Sequence, residues 1–159
     1  MRIIGVDPGY KKTGYGIIEK KDKKNYYVAS GCIYSDRLNI LESFKNIFND
    51  STIIFKKYKP NIVAIENIFV YKNRNSILKL AQTRGVIISA AAMQNLCLVE
   101  YSPKKIKKII SGYGSSDKNK IRFIVQELLN IKKTTSLDSA DALAIAISHM
   151  QIFKDKQFT

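Results

Sequence analysis

The sequence predicts an α/β fold: a five-stranded mixed sheet flanked by α-helices. Three observations predict it. Alternating, strand-like segments crowd the first 34 residues, as in consecutive hairpins. From residue 38 onward, long stretches with helical periodicity alternate with short apolar runs, the signature of βαβ crossovers. A chain of 159 residues, 45% hydrophobic, has the material for one real core, and no Pro- or Ser-rich linker or internal repeat divides it. One domain over residues 1–159 is expected.

Residues 2–6 form a short apolar strand, followed by a turn at Pro8-Gly9. Residues 13–19 alternate as a second strand, with Gly14 and Gly16 permitting close backbone approach. Residues 20–25 are polar and read as a turn, and 26–34 as a third strand that completes an antiparallel meander. Over 38–58, Leu38, Leu41, Phe44, Ile47, Phe48, Ile54 and Phe55 recur at helical spacing, and Pro60 stops that helix. Residues 61–65 are a buried strand running into Glu66. Residues 75–94 make a second long helix of small and aliphatic residues, and 96–101 a fifth strand. Helices over 103–110, 117–129 and 136–153 finish the chain.

Lys and Arg number 27 against 13 Asp and Glu, a formal charge of +14. A basic surface of this kind steers a protein towards nucleic acid. No basic amphipathic anchor helix is evident, which makes an anionic membrane the poorer partner. No apolar run approaches the roughly 20 residues that span a bilayer. The N-terminus enters a strand directly, without signal-peptide layout, so a cytoplasmic location is expected. Cys32 and Cys97 lie in apolar, strand-like contexts and read as buried, reduced thiols.

Four acids stand out in this basic chain. Asp7 follows Ile3-Ile4-Gly5-Val6, and Glu66 follows Ile62-Val63-Ala64-Ile65, so both leave strands at their carboxyl ends. Catalytic sites in open α/β sheets favour that edge. Asp138 and Asp141, three apart, share a helix face. Their helix is apolar nearly all round, as a buried helix is, and a carboxylate within it needs a cation or a metal. Taken singly, Asp138 could complement the helix dipole, Glu66 could be an ordinary strand-end acid and Asp7 could start the Pro8-Gly9 turn. Asp141, inside the apolar run, has no such excuse, and convergence of all four points to a site. Oxygen-only donors favour Mg²⁺ or Mn²⁺ over zinc. The single histidine, His149, stands apart and reads as a helix-end or surface residue.

Basic groups surround this set. Phe69, Val70, Tyr71, Lys72, Asn73 and Arg74 combine aromatic and basic side chains, suited to stacking on an unpaired base with phosphate contact. Lys104, Lys105, Lys107 and Lys108 open one helix, and Ser115, Lys118, Lys120 and Arg122 open the next, as phosphate-binding helix starts do.

Gly5-Val6-Asp7-Pro8-Gly9 with Thr13-Gly14-Tyr15-Gly16, then Ala64-Ile65-Glu66 with Phe69 and Lys72-Asn73, resemble two motifs of one family. Ala81-Gln82-Thr83-Arg84-Gly85 and Ala140-Asp141-Ala142-Leu143-Ala144-Ile145-Ala146 resemble two more. The order and separations, over residues 1 to about 150, are similar to those of the Holliday-junction resolvases of the RuvC type. The resemblance implies a ribonuclease-H-like fold, a homodimer, and Mg²⁺-dependent cutting of four-way DNA junctions. It implies that Asp7, Glu66, Asp138 and Asp141 are the catalytic, metal-binding acids; four crowded carboxylates call for two divalent ions per subunit, with Mn²⁺ able to substitute for Mg²⁺. By the same correspondence Phe69 contacts bases near the junction centre, and Lys107 and Lys118 contact the DNA backbone; the basic segments themselves suggest Lys72, Arg74 and Lys104 as further DNA contacts. The helix bearing Leu80, Ala81, Arg84 and Gly85 matches the dimer interface, where Ile77, Val86, Ile87 and Ala90 are further candidates. The family's usual partner is a branch-migration complex of the RuvA and RuvB type. Two positions depart from its pattern: Asn67 stands where Gln is usual, and Tyr10 where a small residue is common.

The implied activity is paired phosphodiester hydrolysis in recombination and repair, leaving 5′-phosphate and 3′-hydroxyl ends. Three readings compete with it. The opening Asp-Pro-Gly turn also resembles the first phosphate motif of actin-like ATPases, which need a second such domain. A non-catalytic DNA-binding protein would explain the charge but not Asp141. Ribonuclease H activity on RNA–DNA hybrids would share the metal site.

Overall fold

β1 (Arg2–Asp7) lies at the centre of the sheet because its residues are apolar on both faces. β2 (Lys12–Lys21) and β3 (Lys24–Tyr34) add to one side of it antiparallel, and β4 (Ile62–Glu66) and β5 (Cys97–Tyr101) to the other side parallel. The strand order is β3-β2-β1-β4-β5. This computed structural model describes residues 1–22, 24–35, 39–68, 74–132 and 135–155. The five-stranded mixed sheet expected from sequence is what it shows.

α1 (Ile40–Tyr58) and α2 (Arg74–Ala92) carry the chain between the parallel strands. The side chain of Asn39 caps α1 by accepting from the Glu42 backbone N–H at 3.0 Å. At the other end Lys59 turns left-handed (φ 47°) before Pro60, so the helix ends one residue ahead of the proline. α3 (Pro103–Ser111), α4 (Lys118–Leu128) and α5 (Leu137–Asp155) follow β5, with Ser102 and Asp117 as N-caps of the first two. The polar stretch at 20–25 is shorter as a turn than its composition suggests. β2 and β3 continue to Lys21 and from Lys24, with Asp22 left-handed (φ 47°) between them.

Side-chain alternation splits the core in two. Ile4, Val6, Ile17, Val63 and Ile65 face α1 and α2, where Ile47, Phe55, Ile87 and Ala90 complete one cluster. Ile3, Ile18 and Ala64 face α5, where Leu143, Ile145, Ile147 and Met150 complete the other with α3 and α4. By the same alternation Asp7, two past Gly5, and Glu66, two past Ala64, belong to the α5 face. Among the described residues no helix is long and apolar enough to cross a membrane.

Candidate active site

The parallel register pairs Val6 with Ile65, so the next residues, Asp7 and Glu66, stand side by side at the carboxyl edge. What brings α5 over them is the absence of side chains beneath it. A Cβ on Gly5 would collide with the Ala142 carbonyl, and one on Gly14 with the Asp138 carbonyl. Gly16 likewise admits Leu143, which is fully buried. Asp141 is therefore set down next to Asp7 and Glu66 by backbone-to-backbone contact.

These three acids line one pocket of about 170 Å³ together with Lys107 and Lys118. Burial pushes the Asp7 carboxyl well above its ordinary value, and the charges of Glu66 and Asp141 push it further. Glu66 is raised too, by burial and then by the Asp141 charge, with its hydrogen bond to Asp7 and the nearby Lys118 and Lys107 working against the rise. Asp7 and Glu66 therefore form a crowded, mutually repelling pair, each raised first by its own burial. The Lys118 ammonium binds Asp141 at 2.7 Å. Its own partial burial lowers the lysine pKa, but the bond to Asp141 and the charges of Asp141, Asp7 and Asp138 raise it on balance.

Asp138 stands apart from the other three. Its carboxylate is paired at 2.6 Å with Lys12, at the start of β2, and it is not among the residues lining the pocket. The cause is the path of α5 across the sheet: Asp138 lies over Gly14 of β2, whereas Ala142, one residue past Asp141, lies over Gly5 of β1. Residues three apart share a helix face but are separated by about 4.5 Å along the axis.

The donor set suits a hard divalent cation, since every acid in the pocket offers oxygen and burial with mutual repulsion raises the pKa of Asp7 and Glu66 where no positive charge stands between them. In this side-chain arrangement, and among the described residues, no three acids converge closely enough to enclose an ion. Lys118 and Lys12 neutralise Asp141 and Asp138 instead.

The basic residues expected around the acids divide. Lys107 lines the pocket and Lys118 touches Asp141, while Lys104 is exposed in the first turn of α3 beside Pro103 of the pocket wall. Phe69 and Lys72, with Leu38 of the expected first helix, lie outside the described residues, as does the side chain of Arg74. Of the two departures, Asn67 folds its side-chain oxygen back to accept from the Ile68 N–H at 2.9 Å. A larger cavity, about 570 Å³, lies between β3 and the connection of α4 to α5, and among the described residues no carboxylate lines it.

Three features were missed by sequence reasoning or read differently. Arg84 donates from Nε to the Glu66 carbonyl at 3.2 Å and pairs with Glu100 at 2.5 Å, fixing the end of β4. His149 is buried rather than at the surface, with Nδ1 2.7 Å from the Tyr101 hydroxyl, and burial lowers its pKa. The thiols are not both buried: Cys97 is exposed on edge strand β5 and Cys32 is half-buried, 3.3 Å from the Ser136 hydroxyl.

Residues 3–149 match the family described as crossover junction endodeoxyribonuclease RuvC. The chain belongs to the RuvC family. It is 45% identical over 148 residues to the crossover junction endodeoxyribonuclease RuvC of Hydrogenovibrio crunogenus, covering 93% of this chain and 86% of that one. It is 41% identical to the RuvC of Baumannia cicadellinicola, covering 94% and 87%. Among solved structures, Thermus thermophilus RuvC superposes with a TM-score of 0.86 at 24% identity, covering 98% of this chain and 97% of that one. The same protein in complex with Holliday junction substrate gives 0.87 at 22% identity, covering 98% and 96%. At these identities the superpositions show the RuvC fold, which is ribonuclease-H-like; the family match makes this chain a crossover junction endodeoxyribonuclease.

Proposed function

We propose that this chain resolves four-way DNA junctions in recombination and repair, as a homodimer of single nuclease domains over residues 1–159. Asp7, Glu66, Asp138 and Asp141 would be its catalytic acids and would hold Mg²⁺, two ions per subunit, with Mn²⁺ able to substitute. Bound there, the cations supply Lewis-acid activation of the attacking water and neutralise charge on the departing 3′ oxygen. The observation that carries this reading is the meeting of Asp7, Glu66 and Asp141 around one pocket with Lys107 and Lys118 at its rim.

The chain's own groups have distinct tasks. Asp7 and Glu66 present carboxyl oxygens beside Asp141, and burial with mutual repulsion makes their ionised forms costly until a cation is bound. Lys118 releases Asp141 when its ammonium moves to a DNA phosphate, an exchange of one anion for another. Lys12 does the same for Asp138, which frees the fourth acid to serve as a cation ligand. Lys107 stays to attract the phosphate. Lys104, Lys72 and Arg74 would extend the backbone contacts, and Phe69 would stack on a base near the junction centre. Hydrolysis leaves 5′-phosphate and 3′-hydroxyl ends.

Two strands of like polarity must be cut, and a two-fold dimer presents two equivalent sites. α2 supports that role because Leu78, Ala81 and Gly85 are exposed on it, and a Cβ at Gly85 would meet nothing within 4 Å. Ile87 and Ala90, expected there too, are fully buried in the chain's own core, so the interface would use the opposite face. A cytoplasmic location and cooperation with a branch-migration complex of the RuvA and RuvB type complete the proposal.

Comparing cleavage of a four-way junction, a plain duplex and an RNA–DNA hybrid under Mg²⁺ tests it. Junction-selective cutting, lost in Asp7→Asn with junction binding kept, is the expected result. Preference for the hybrid would replace it with a ribonuclease H, and full cleavage by Asp7→Asn would remove Asp7 from the chemistry.

A further inference from the structure

The same sheet edge has a second basic feature, on the side away from the acids. The turn after β1 carries Tyr10 and Lys11 towards α1 and α2. Its backbone is fixed: the Ser35 hydroxyl donates to the Tyr10 carbonyl at 2.5 Å, and the Ser35 N–H donates to the Lys11 carbonyl at 3.0 Å. Ser35 is buried, and its own carbonyl accepts from Ser43 of α1 at 3.1 Å. The Tyr10 ring meets Phe44 edge-on, with centroids 6.1 Å apart and planes at 81°. Over the ring stands the Lys79 ammonium of α2, 4.9 Å from the centroid. Tyr10, Lys11, Lys79 and Leu80 line a cavity of about 380 Å³ between the turn and the helix.

The lysines here differ from the two that hold acids on the α5 side. Lys12 and Lys118 are each bound to a catalytic acid. Lys11 and Lys79 have no ion pair with a carboxylate among the described residues, yet they flank one cavity. Two like charges facing one space attract an anion. A tyrosine ring under one of them holds that ammonium in place by its quadrupole and leaves its hydrogens free to donate. With an ammonium above the ring, the cavity suits a phosphate better than a stacked base.

We propose that this cavity seats a backbone phosphate of the DNA, with Lys11 and Lys79 as its ligands and Tyr10 as the positioning residue for Lys79. The inference rests on the nuclease reading and deepens it: the strand would be gripped on both faces of the sheet edge, with the cut made on the α5 side. It also gives a task to Tyr10, a departure from the family pattern.

The test is junction binding as a function of salt for the wild type, Lys11→Ala, Lys79→Ala, Tyr10→Phe, Tyr10→Leu and the double variant Tyr10→Leu/Lys79→Ala. Both lysines are exposed, so their removal spares the fold. Each lysine substitution should reduce the slope of log K against log salt by about 1. Tyr10→Phe keeps the ring and should bind as wild type. Tyr10→Leu should weaken binding severalfold, and the double variant should bind no worse than Lys79→Ala alone. Wild-type slopes in both lysine variants, with cleavage still abolished by Asp7→Asn, would overturn this site and leave the nuclease reading standing. Additive losses in the double variant would overturn the role of Tyr10. A wild type that fails to bind junctions at all would defeat both.

Discussion

α2 and α5 are each 19 residues long and built largely of small and aliphatic side chains, yet the sheet treats them differently. α5 is buried along nearly its whole length from Ala140 to Met150, because Gly5, Gly14 and Gly16 let its backbone rest on β1 and β2. α2 buries Thr83, Ile87, Ala90 and Ala91 and leaves Leu78, Ala81, Gly85 and Ser89 exposed. The difference lies in what the sheet offers beneath each helix rather than in the hydrophobicity of the helix. A groove of glycines draws in α5 and its two acids, whereas α2 shares with α1 a cluster over the branched residues Ile4, Val6 and Ile65 and joins it on one side only. One helix brings acids to the pocket; the other keeps an exposed face, which the proposal gives to a second copy.

The sharpest way to break the contrast is to fill the groove. Gly5→Val should destabilise the protein by about 3 kcal/mol, because backbone at Ala142 cannot move aside as a side chain can. Urea unfolding measures the loss, and junction cleavage should fall with it even where the fold survives. A wild-type midpoint would show that α5 does not depend on the glycine. On the other helix, Leu78→Glu should leave unfolding nearly unchanged but weaken self-association roughly tenfold or more, since a contact that buries a leucine is replaced by a charge. Sedimentation equilibrium reads it, and unaltered association would place the dimer contact elsewhere.

A smaller effect comes from the far end of α5. Burial lowers the pKa of His149 below its unfolded value near 6.5. The unfolded chain therefore binds the extra proton first, so stability is fully present above about pH 6.5 and declines as pH falls. In His149→Gln the decline attributable to this group should vanish, as measured by denaturant midpoints between pH 7 and pH 5. An identical pH profile in the variant would mean that His149 charges as readily when folded. The smallest effect is at Gly85. With open space around its Cβ position, Gly85→Ala should add up to about 1 kcal/mol of helix stability, visible in the melting of the protein at concentrations where it is monomeric.

Much of the active centre was legible because strand ends are legible. Apolar runs ending in Asp7 and Glu66 located two acids, and their level was set once the strands proved to be parallel neighbours. Asp141 was legible because an acid inside an apolar helix needs a reason. Asp138 was only half legible: spacing put it on the Asp141 face, but the tilt of α5 across β2 and the Lys12 partner depend on tertiary geometry. His149 carried a usable signal, since it lies inside the buried run of α5 beside Met150. Its partner, Tyr101, is 48 residues away in sequence and leaves no periodic trace. Arg84 and its bond to the Glu66 carbonyl were hidden for the same reason. Cys97 misled because β5 is an edge strand, and apolar context does not report which strand ends the sheet.

Packing of α5 against β1 brings Asp141 to Asp7 and Glu66, and the proposed catalytic centre depends on it. Parallel measurement of junction binding and Mg²⁺-dependent junction cleavage by Asp141→Asn tests it most directly, since the substitution is isosteric and removes one charge. Binding should hold or tighten, and cleavage should fall by about a hundredfold or more, beyond what loss of a residue supporting a metal ligand costs. Cleavage within a few fold of wild type would remove Asp141 from the catalytic centre.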